Sequence, residues 1–254
     1  MWRRGRLPSV SSMSELNGAG QAKNAVITGT SRGLGLALAR GLAAEGWSLV
    51  IDARDADALR SAAAGLPGTG RIIPLPGDIA DPAHRAALRD AAEDLGGPDL
   101  LVNNAGTLGA SPLPAIADYP IAKLRETFEI NVLAPIALTQ LLLPALRARG
   151  GAVLSITSDA AVEPYAGWGG YGAAKAALEQ ASNVLAAEEN VVRVWWVDPG
   201  DMRTHMHQQA YPGEDISDRP LPDAVVPAFL RLITERLPAG RYRAAELMPT
   251  GALP

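Results

Sequence analysis

Short apolar runs alternate with longer segments of helical periodicity from Lys23 onward. All but the last of these runs are rich in valine, isoleucine and leucine, as strands buried on both faces of a sheet should be. The runs predict seven strands: Asn24–Thr28, Ser48–Asp52, Arg71–Leu75, Leu100–Asn103, Ala152–Thr157, Val191–Val197 and Arg241–Arg243. Regular alternation of strands and helices favours a mostly parallel sheet with helices on both faces.

The segments between the strands predict six helices: Leu34–Ala44, Asp55–Ala64, Pro82–Asp94, Ile121–Arg147, Gly170–Glu188 and Asp223–Arg236. Asp81 followed by Pro82 is typical of an N-cap and a first-turn proline. No linker or internal repeat divides the chain, and its 254 residues fit one large α/β domain. We therefore predict a single doubly wound domain over residues 23–254.

Composition narrows the classes of function. The net charge of -4 gives no reason to expect a nucleic acid or an anionic membrane as partner. The absence of cysteine excludes disulfides, thiolate zinc sites and cysteine nucleophiles, and it suits a cytoplasmic protein. The three histidines, His84, His205 and His207, leave little material for a metal site, and we expect none.

The start of the chain is basic, but no apolar core follows and Pro8 interrupts any helix. We expect residues 1–22 to be a disordered extension, with Met13 as an alternative start. No segment reaches the roughly 20 apolar residues of a membrane span. The nearest candidate, Leu133–Leu146, is broken by Pro135, Thr139, Gln140 and Pro144.

The first predicted strand runs directly into a glycine-rich turn, and a helix follows the turn. The turn reads Gly29-Thr30-Ser31-Arg32-Gly33-Leu34-Gly35. Glycines let the backbone approach a pyrophosphate closely, and the positive N-terminus of the helix then faces the phosphates. The spacing therefore predicts a dinucleotide site; the alternative is a helix that simply starts after a glycine-rich turn.

Tyr171 and Lys175 lie four residues apart, with Ser158 thirteen residues upstream. One helical turn places the phenol and the ammonium on the same face of a helix. A nearby positive charge is expected to lower a phenol pKa that starts at about 10, which suits acid–base chemistry on a carbonyl. Alone, this pair is weak evidence, because most such pairs are surface neighbours.

Three further motifs complete a pattern: Asn103-Asn104-Ala105-Gly106, Asn131 and Pro199-Gly200. Together with the glycine-rich turn, Ser158 and the Tyr–Lys pair, they follow the order and spacing of the short-chain dehydrogenase/reductase family. The chain resembles that family from about Lys23 to Arg243. The resemblance implies a Rossmann-type fold and an NAD(P)-dependent oxidoreductase that moves a hydride between nicotinamide C4 and a small-molecule carbonyl or alcohol.

The resemblance also assigns roles to the four polar residues. Tyr171 is implied as the general acid/base, and Lys175 as the group that stabilises the phenolate and holds the nicotinamide ribose. Ser158 would hydrogen-bond the substrate oxygen, and Asn131 would keep a water-linked proton path to the lysine. Each also has a structural alternative: Ser158 as a turn residue, with Thr157 as a substitute hydroxyl, and Asn131 as a polar residue that bends its helix.

By the same resemblance the cofactor contacts the glycine-rich turn and the carboxyl ends of later strands. The expected cofactor-binding residues are Gly29, Thr30, Ser31, Arg32, Gly33, Leu34, Gly35, Arg54, Asp78, Ile79, Asn104, Ala105, Gly106, Tyr171, Lys175, Pro199, Gly200, Met202 and Thr204. Asp78 matches the family's adenine contact, although it could equally begin the turn into the next helix.

The second strand ends in Asp52-Ala53-Arg54, where such proteins choose between the two nicotinamide cofactors. A carboxylate there selects NAD, whereas an arginine accommodates the 2′-phosphate of NADP. Family alignment puts the acidic position on Ala53 and the basic one on Arg54, with Arg32 as a second cation, so NADP(H) is preferred. NAD(H) is the alternative if a one-residue shift gives Asp52 the ribose.

Residues 205–222 are polar, contain prolines and show no periodicity, and they resemble the family's mobile substrate loop. Expected pocket walls are Met202, Met206, Tyr165, Trp168 and Tyr211. The family commonly forms homodimers or homotetramers through helices that match Ile121–Arg147 and Gly170–Glu188. The alternative class of function is a non-catalytic NAD(P)-binding sensor on the same fold.

Overall fold

A single seven-stranded sheet forms the centre of the protein in the computed structural model, which describes residues 23–248. The extension predicted for residues 1–22 lies outside the described residues. The strands are β1 Asn24–Ile27, β2 Ser48–Ala53, β3 Ile72–Pro76, β4 Leu100–Asn103, β5 Ala152–Ile156, β6 Arg193–Asp198 and β7 Gly240–Arg243. Every neighbouring pair is parallel, so the predicted α/β sheet is confirmed and is parallel throughout.

Helices connect successive strands. They are α1 Gly33–Ala44, α2 Ala56–Ala64, α3 Pro82–Asp94, α4 Ile121–Phe128, α5 Ala134–Arg149, α6 Gly169–Glu188, α7 His205–Ala210, α8 Val226–Thr234 and α9 Ala244–Leu247. Helix α3 starts where predicted, because the Asp81 carboxylate accepts a hydrogen bond from the N–H of Ala83 at 2.9 Å and Pro82 follows the cap.

Alternate residues of each strand pack into different helix layers. In β1, Ile27 belongs to a core shared with α1 and α8, which includes Leu38 and Phe229. Its neighbour Val26 belongs to a second core on the opposite face, which includes Leu138 of α5. The strands are therefore buried on both faces, as the continuous apolar runs indicate.

The strand order β3-β2-β1-β4-β5-β6-β7 reverses direction next to β1. The chain builds outward from β1 to β3 and then returns to place β4 on the other side of β1. At such a switch point the connections leave in opposite directions, and a crevice opens at the carboxyl ends of the strands. This crevice is where the predicted motifs meet.

The helix predicted over Ile121–Arg147 is interrupted. A π-helical turn, Glu129–Leu133, separates α4 from α5 and carries Asn131. Taken together, α4, the π turn and α5 form a helical stretch, Ile121–Arg149, that is long and apolar enough to cross a membrane. Half of its most apolar part is buried. Leu138, Leu142 and Leu146 of this run are fully buried against the sheet, so core packing accounts for its apolar character.

Residues 205–222 are more regular than predicted. The Thr204 hydroxyl accepts from the N–H of His207 at 3.1 Å and so caps α7. Six residues are too few for a helical period to show in the sequence, which is why no element was predicted there. The helix predicted over Asp223–Arg236 likewise begins as a 3₁₀ turn at Pro222–Val225 before α8.

Candidate active site

A cavity of about 970 Å³ opens at the carboxyl ends of the central strands. It brings together nearly all of the predicted site residues. The predicted residues that line it are Gly29, Ser31, Arg32, Gly33, Leu34, Gly35, Arg54, Asp78, Ile79, Asn104, Ala105, Gly106, Ser158, Tyr171, Lys175, Pro199, Gly200, Met202 and Thr204. Thr30 and Asn131 are fully buried and do not line it.

Close packing in the glycine-rich turn leaves no room for a side chain at Gly29 or Gly35. A Cβ on Gly35 would lie 2.3 Å from the Gly29 carbonyl oxygen, and Gly29 has φ +73° with Ala105 Cα at 2.9 Å from its own hypothetical Cβ. The Asn104 amide donates to the carbonyls of Thr28 and Gly29 at 2.7 and 3.1 Å. This backbone cradle ahead of α1 fits a pyrophosphate.

Thr30 lies beneath the turn, apart from the cavity. Its N–H and its hydroxyl both donate to the Asp52 carbonyl, at 2.8 and 3.0 Å. The structure therefore uses both donors of Thr30 to join the turn to β2, where the resemblance expects a cofactor contact.

The Asp52 carboxylate is held inside the protein. One oxygen accepts from the Gly29 N–H at 2.7 Å, and the other faces His84 Nε2 at 3.1 Å. The Asp52 side chain is 2% exposed and the His84 side chain 7%. Arg32 and Arg54 are exposed and line the cavity, and neither pairs with a carboxylate among residues 23–248.

Asp78 shapes the turn into α3 and also lies on the cavity wall. Its carboxylate accepts from the Ala80 N–H at 2.9 Å, which shapes the turn into α3. It also lines the cavity next to Ile79.

Tyr171 and Lys175 share one face of α6, as their spacing predicts. The Lys175 ammonium donates to the Ile156 carbonyl at 2.8 Å and lies 5.5 Å from the centre of the Tyr171 ring. Ser158 follows β5, and its hydroxyl lies close enough to the Tyr171 phenol to affect its pKa. The three side chains thus meet at one point of the cavity wall.

The expected lowering of the Tyr171 pKa is wrong for this arrangement. Burial raises the pKa of Tyr171 above its ordinary value, the charges of Asp159 and Asp198 raise it further, and the nearby Ser158 hydroxyl opposes them. The ammonium lies over the ring and is engaged with a carbonyl, so burial dominates. Burial also lowers the pKa of Lys175 to about 8.

Asn131 clamps the loop after β4. Its amide donates to the Thr107 carbonyl and its oxygen accepts from the Thr107 N–H, both at 2.8 Å. The π turn supplies the local widening that aims this side chain at the loop, as such turns often do near functional sites. Asn131 therefore lies one layer behind the cavity wall.

Comparison with known proteins agrees with this geometry. The family profile described as short chain dehydrogenase matches residues 23–215. Sepiapterin reductase from Bos taurus is 36% identical over 214 residues, which cover 78% of this chain and 79% of the relative. The chain belongs to the short-chain dehydrogenase/reductase family. Members of this family are oxidoreductases that act on the CH–OH/C=O pair with NAD(P), and this chain is such an enzyme.

Two solved structures of short-chain dehydrogenase/reductase type share the fold. L-Sorbose reductase from Gluconobacter frateurii, solved with NADPH and L-sorbose, has a TM-score of 0.77 and 32% identity, covering 88% of this chain and 95% of its own. An alcohol dehydrogenase from Thermococcus sibiricus, solved with 5-hydroxy-NADP, has a TM-score of 0.79 and 27% identity, covering 87% and 95%.

Sequence reasoning missed several residues of this short-chain dehydrogenase/reductase site. Asp159 accepts from the Ser158 hydroxyl at 2.9 Å and from the Tyr165 hydroxyl at 3.0 Å. Its position directly after Ser158 was the available signal.

A second group lies behind β5. Arg241 of β7 donates to Glu179 of α6 at 2.9 Å and to the Ser158 carbonyl at 3.3 Å, while the Thr157 hydroxyl donates to the same Glu179 carboxylate at 2.7 Å. No sequence spacing indicates this hydrogen-bonded cluster of Thr157, Glu179 and Arg241, because its members come from three separate elements.

Two of the predicted pocket walls, Trp168 and Tyr211, pack together beside Tyr171. The ring of Trp168 lies edge-on to Tyr171, with 5.7 Å between ring centres, and Tyr211 packs on Trp168 at 6.2 Å. Met202, Met206 and Tyr165 also line the cavity.

Proposed function

We propose that this enzyme uses NADP(H) to interconvert a small-molecule carbonyl and its alcohol, with Tyr171 as general acid/base. The observation that carries the proposal is the convergence of Ser158, Tyr171 and Lys175 on one wall of the cavity that also holds the glycine cradle. When bound, the nicotinamide supplies or accepts a hydride at C4.

The side chains of the chain account for the movement of the proton. Tyr171 donates its hydroxyl proton to the substrate oxygen in reduction and takes it back in oxidation. Its raised pKa keeps the phenol protonated and ready to donate at neutral pH. Lys175, whose pKa is about 8, carries a positive charge there and offsets the phenolate as it forms.

Ser158 supports this chemistry from the cavity wall, and Asn131 supports it from behind that wall. The Ser158 hydroxyl lies beside the phenol, where it can hydrogen-bond the substrate oxygen. Asn131 fixes the Thr107 backbone and thereby the loop that borders the cavity. Its clamp makes it a positioning residue in this proposal.

The choice of NADP(H) is supported by the charges at the end of β2. Arg32 and Arg54 line the cavity and can face a 2′-phosphate, a geometry that guanidinium groups suit. Both oxygens of Asp52 are engaged with Gly29 and His84, which argues against its use as a ribose ligand. The relatives solved with NADPH and 5-hydroxy-NADP point the same way.

The test of Tyr171 uses the Tyr171→Phe variant and NADPH oxidation with a panel of ketones and aldehydes. Loss of a positioned acid typically costs about 10²- to 10⁴-fold in rate, so we expect turnover to fall by at least about a hundredfold. Binding of NADP⁺, measured by calorimetry, should stay within about threefold of wild type, since the phenol ring remains.

Two results would contradict the proposal. Retention of a tenth of the activity in Tyr171→Phe would assign the proton to another group. Binding of NADP⁺ by the wild type without turnover of any substrate in the panel would favour the sensor alternative.

A further inference from the structure

The position of Asp52 needs an explanation, because a carboxylate at the end of β2 is what selects NAD in folds of this type. Asp52 precedes Ala53, the last residue of the strand, and lies against the cavity next to Arg54. Asp52 borders the cavity that would hold the cofactor, yet only 2% of its side chain is exposed.

The alternation of β2 turns Asp52 toward the α3 face of the sheet, and His84 of α3 holds its carboxylate there. The imidazole comes from the first turn of α3 and places Nε2 at 3.1 Å from the outer carboxylate oxygen. The ring fills a slot that exists because residue 77 is glycine: a Cβ there would lie 2.2 Å from His84 Nδ1. Arg85 donates to the Ile79 carbonyl at 2.6 Å and fixes the start of α3, so the ring has little freedom to move.

A buried carboxylate must keep hydrogen-bond donors on its oxygens. In Asp52 the Gly29 N–H and the His84 ring supply them. Without the imidazole, the second oxygen would turn to the nearest remaining donor. In NAD(H) the ribose 2′-hydroxyl is such a donor, whereas in NADP(H) the same position carries a phosphate that a carboxylate repels.

We propose that His84 is a specificity-determining residue, which disfavours NAD(H) by keeping Asp52 away from the cofactor ribose. The inference rests on the proposed use of NADP(H) and deepens it. Arg32 and Arg54 attract the 2′-phosphate of NADP(H). His84 keeps the Asp52 carboxylate from binding the free 2′-hydroxyl of NAD(H).

The test is direct binding of NADP⁺ and NAD⁺ to the full chain, by calorimetry at one pH and salt concentration. Removing the ring in His84→Leu should shift the ratio of the two Kd values toward NAD⁺ by about tenfold, the usual effect of one hydrogen bond to a charged group. The shift is measured relative to wild type, so it is defined whichever cofactor the wild type prefers.

Two variants separate specificity from packing. His84→Gln keeps a donor for Asp52 and should keep the wild-type ratio within about twofold. The double variant Asp52→Asn with His84→Leu has no carboxylate to release and should lose the shift seen in His84→Leu. Gly77→Ala provides a second route, because its methyl group displaces the ring and should move the ratio in the same direction.

The outcomes are distinct for the two proposals. If His84→Leu and Gly77→Ala weaken both cofactors equally, or if the double variant retains the shift, then His84 is only a packing residue and the inference is overturned. Tighter binding of NAD⁺ than of NADP⁺ by the wild type would instead overturn the proposed cofactor. Thermal unfolding of each variant checks that the protein measured is folded.

Discussion

At the scale of single residues, burial controls the protonation of Tyr171 and Lys175. Both side chains lie in the protein interior, where the charged form of either group is disfavoured. The pKa of the phenol therefore rises while that of the ammonium falls to about 8. The two shifts have opposite consequences for how stability varies with pH.

Lys175 should make the protein more stable as pH rises. Its pKa is about 8 when folded and 10.5 when exposed, so between these values the unfolded chain binds more protons and unfolding becomes harder. The burial penalty is complete below pH 8 and relieved toward pH 10.5. Across that window we expect wild type to gain on the order of 2–3 kcal/mol of unfolding free energy relative to Lys175→Met.

Urea denaturation of both proteins at pH 7, 8, 9 and 10 measures this difference. The raised pKa of Tyr171 acts in the other direction, because the unfolded phenol ionises near its ordinary value of 10 while the folded phenol stays protonated, so its contribution to stability falls as pH rises above about 10. Its contribution is common to both proteins and cancels to first order. A difference that stays flat from pH 7 to 10 would show that the ammonium is not desolvated.

The residue-level chemistry was predictable where it depends on short spacing and unpredictable where it depends on distance along the chain. The stacking of Tyr171 and Lys175 follows from helix geometry. The partnership of Asp52 with His84 joins residues 32 positions apart, and no periodicity in the sequence connects them. The direction of the Tyr171 pKa shift depends on how deeply the phenol is buried, and the sequence does not show that burial.

At the scale of elements, the end of β5 is held from behind. Lys175 and Glu179 are one turn apart on α6 and contact Ile156 and Thr157, while Arg241 of β7 reaches the Ser158 carbonyl. Side chains from a helix and a neighbouring region of the sheet thus fix the backbone that carries the serine.

Replacement of Arg241 should therefore lower activity through geometry. In Arg241→Met we expect kcat to fall by about tenfold or more, because the loss of a hydrogen bond to a charged group costs about 1.5–3 kcal/mol. Binding of NADP⁺ should stay within about threefold of wild type. Arg243→Met is the matched control. Arg243 is exposed on the same strand and, like Arg241, its charge opposes the rise in the pKa of Asp198, but it makes no hydrogen bond to Ser158.

Steady-state kinetics and calorimetry on the two variants decide the matter. Equal losses in Arg241→Met and Arg243→Met would mean that charge alone matters. Partial recovery in Arg241→Lys, which restores one donor, would support positioning.

The elements themselves show which signals a sequence carries. Strands and long helices were predicted to within about two residues, because continuous apolar runs and caps mark them. The π turn around Asn131 was not predicted, because one extra residue in a single turn does not visibly change a helical pattern in the sequence. Helix α7 was missed because its start depends on one threonine cap.

At the scale of the whole molecule, the π turn before α5 and helix α6 leave apolar side chains on the surface. Leu133, at the start of this region, is 53% exposed, and Val184 of α6 is 44% exposed. Both belong to the helices through which we expect a homodimer or homotetramer, and alanines on α6 permit close approach of a second helix.

Light scattering after gel filtration tests this assembly. The wild type should elute at a multiple of 26.5 kDa, and the double variant Leu133→Glu with Val184→Glu at a smaller multiple, because two charges would be buried in the interface. Val191→Glu replaces another exposed valine outside both helices and should leave the mass unchanged. A monomeric wild type would contradict the expectation.

The contact between Arg241 and the Ser158 carbonyl spans 83 residues of chain. During synthesis the ribosome completes the serine, the tyrosine and the lysine well before it reaches this arginine. A nascent chain that stops short of β7 lacks this support for the backbone that carries Ser158. Full turnover should consequently appear only once translation of the final strand is finished.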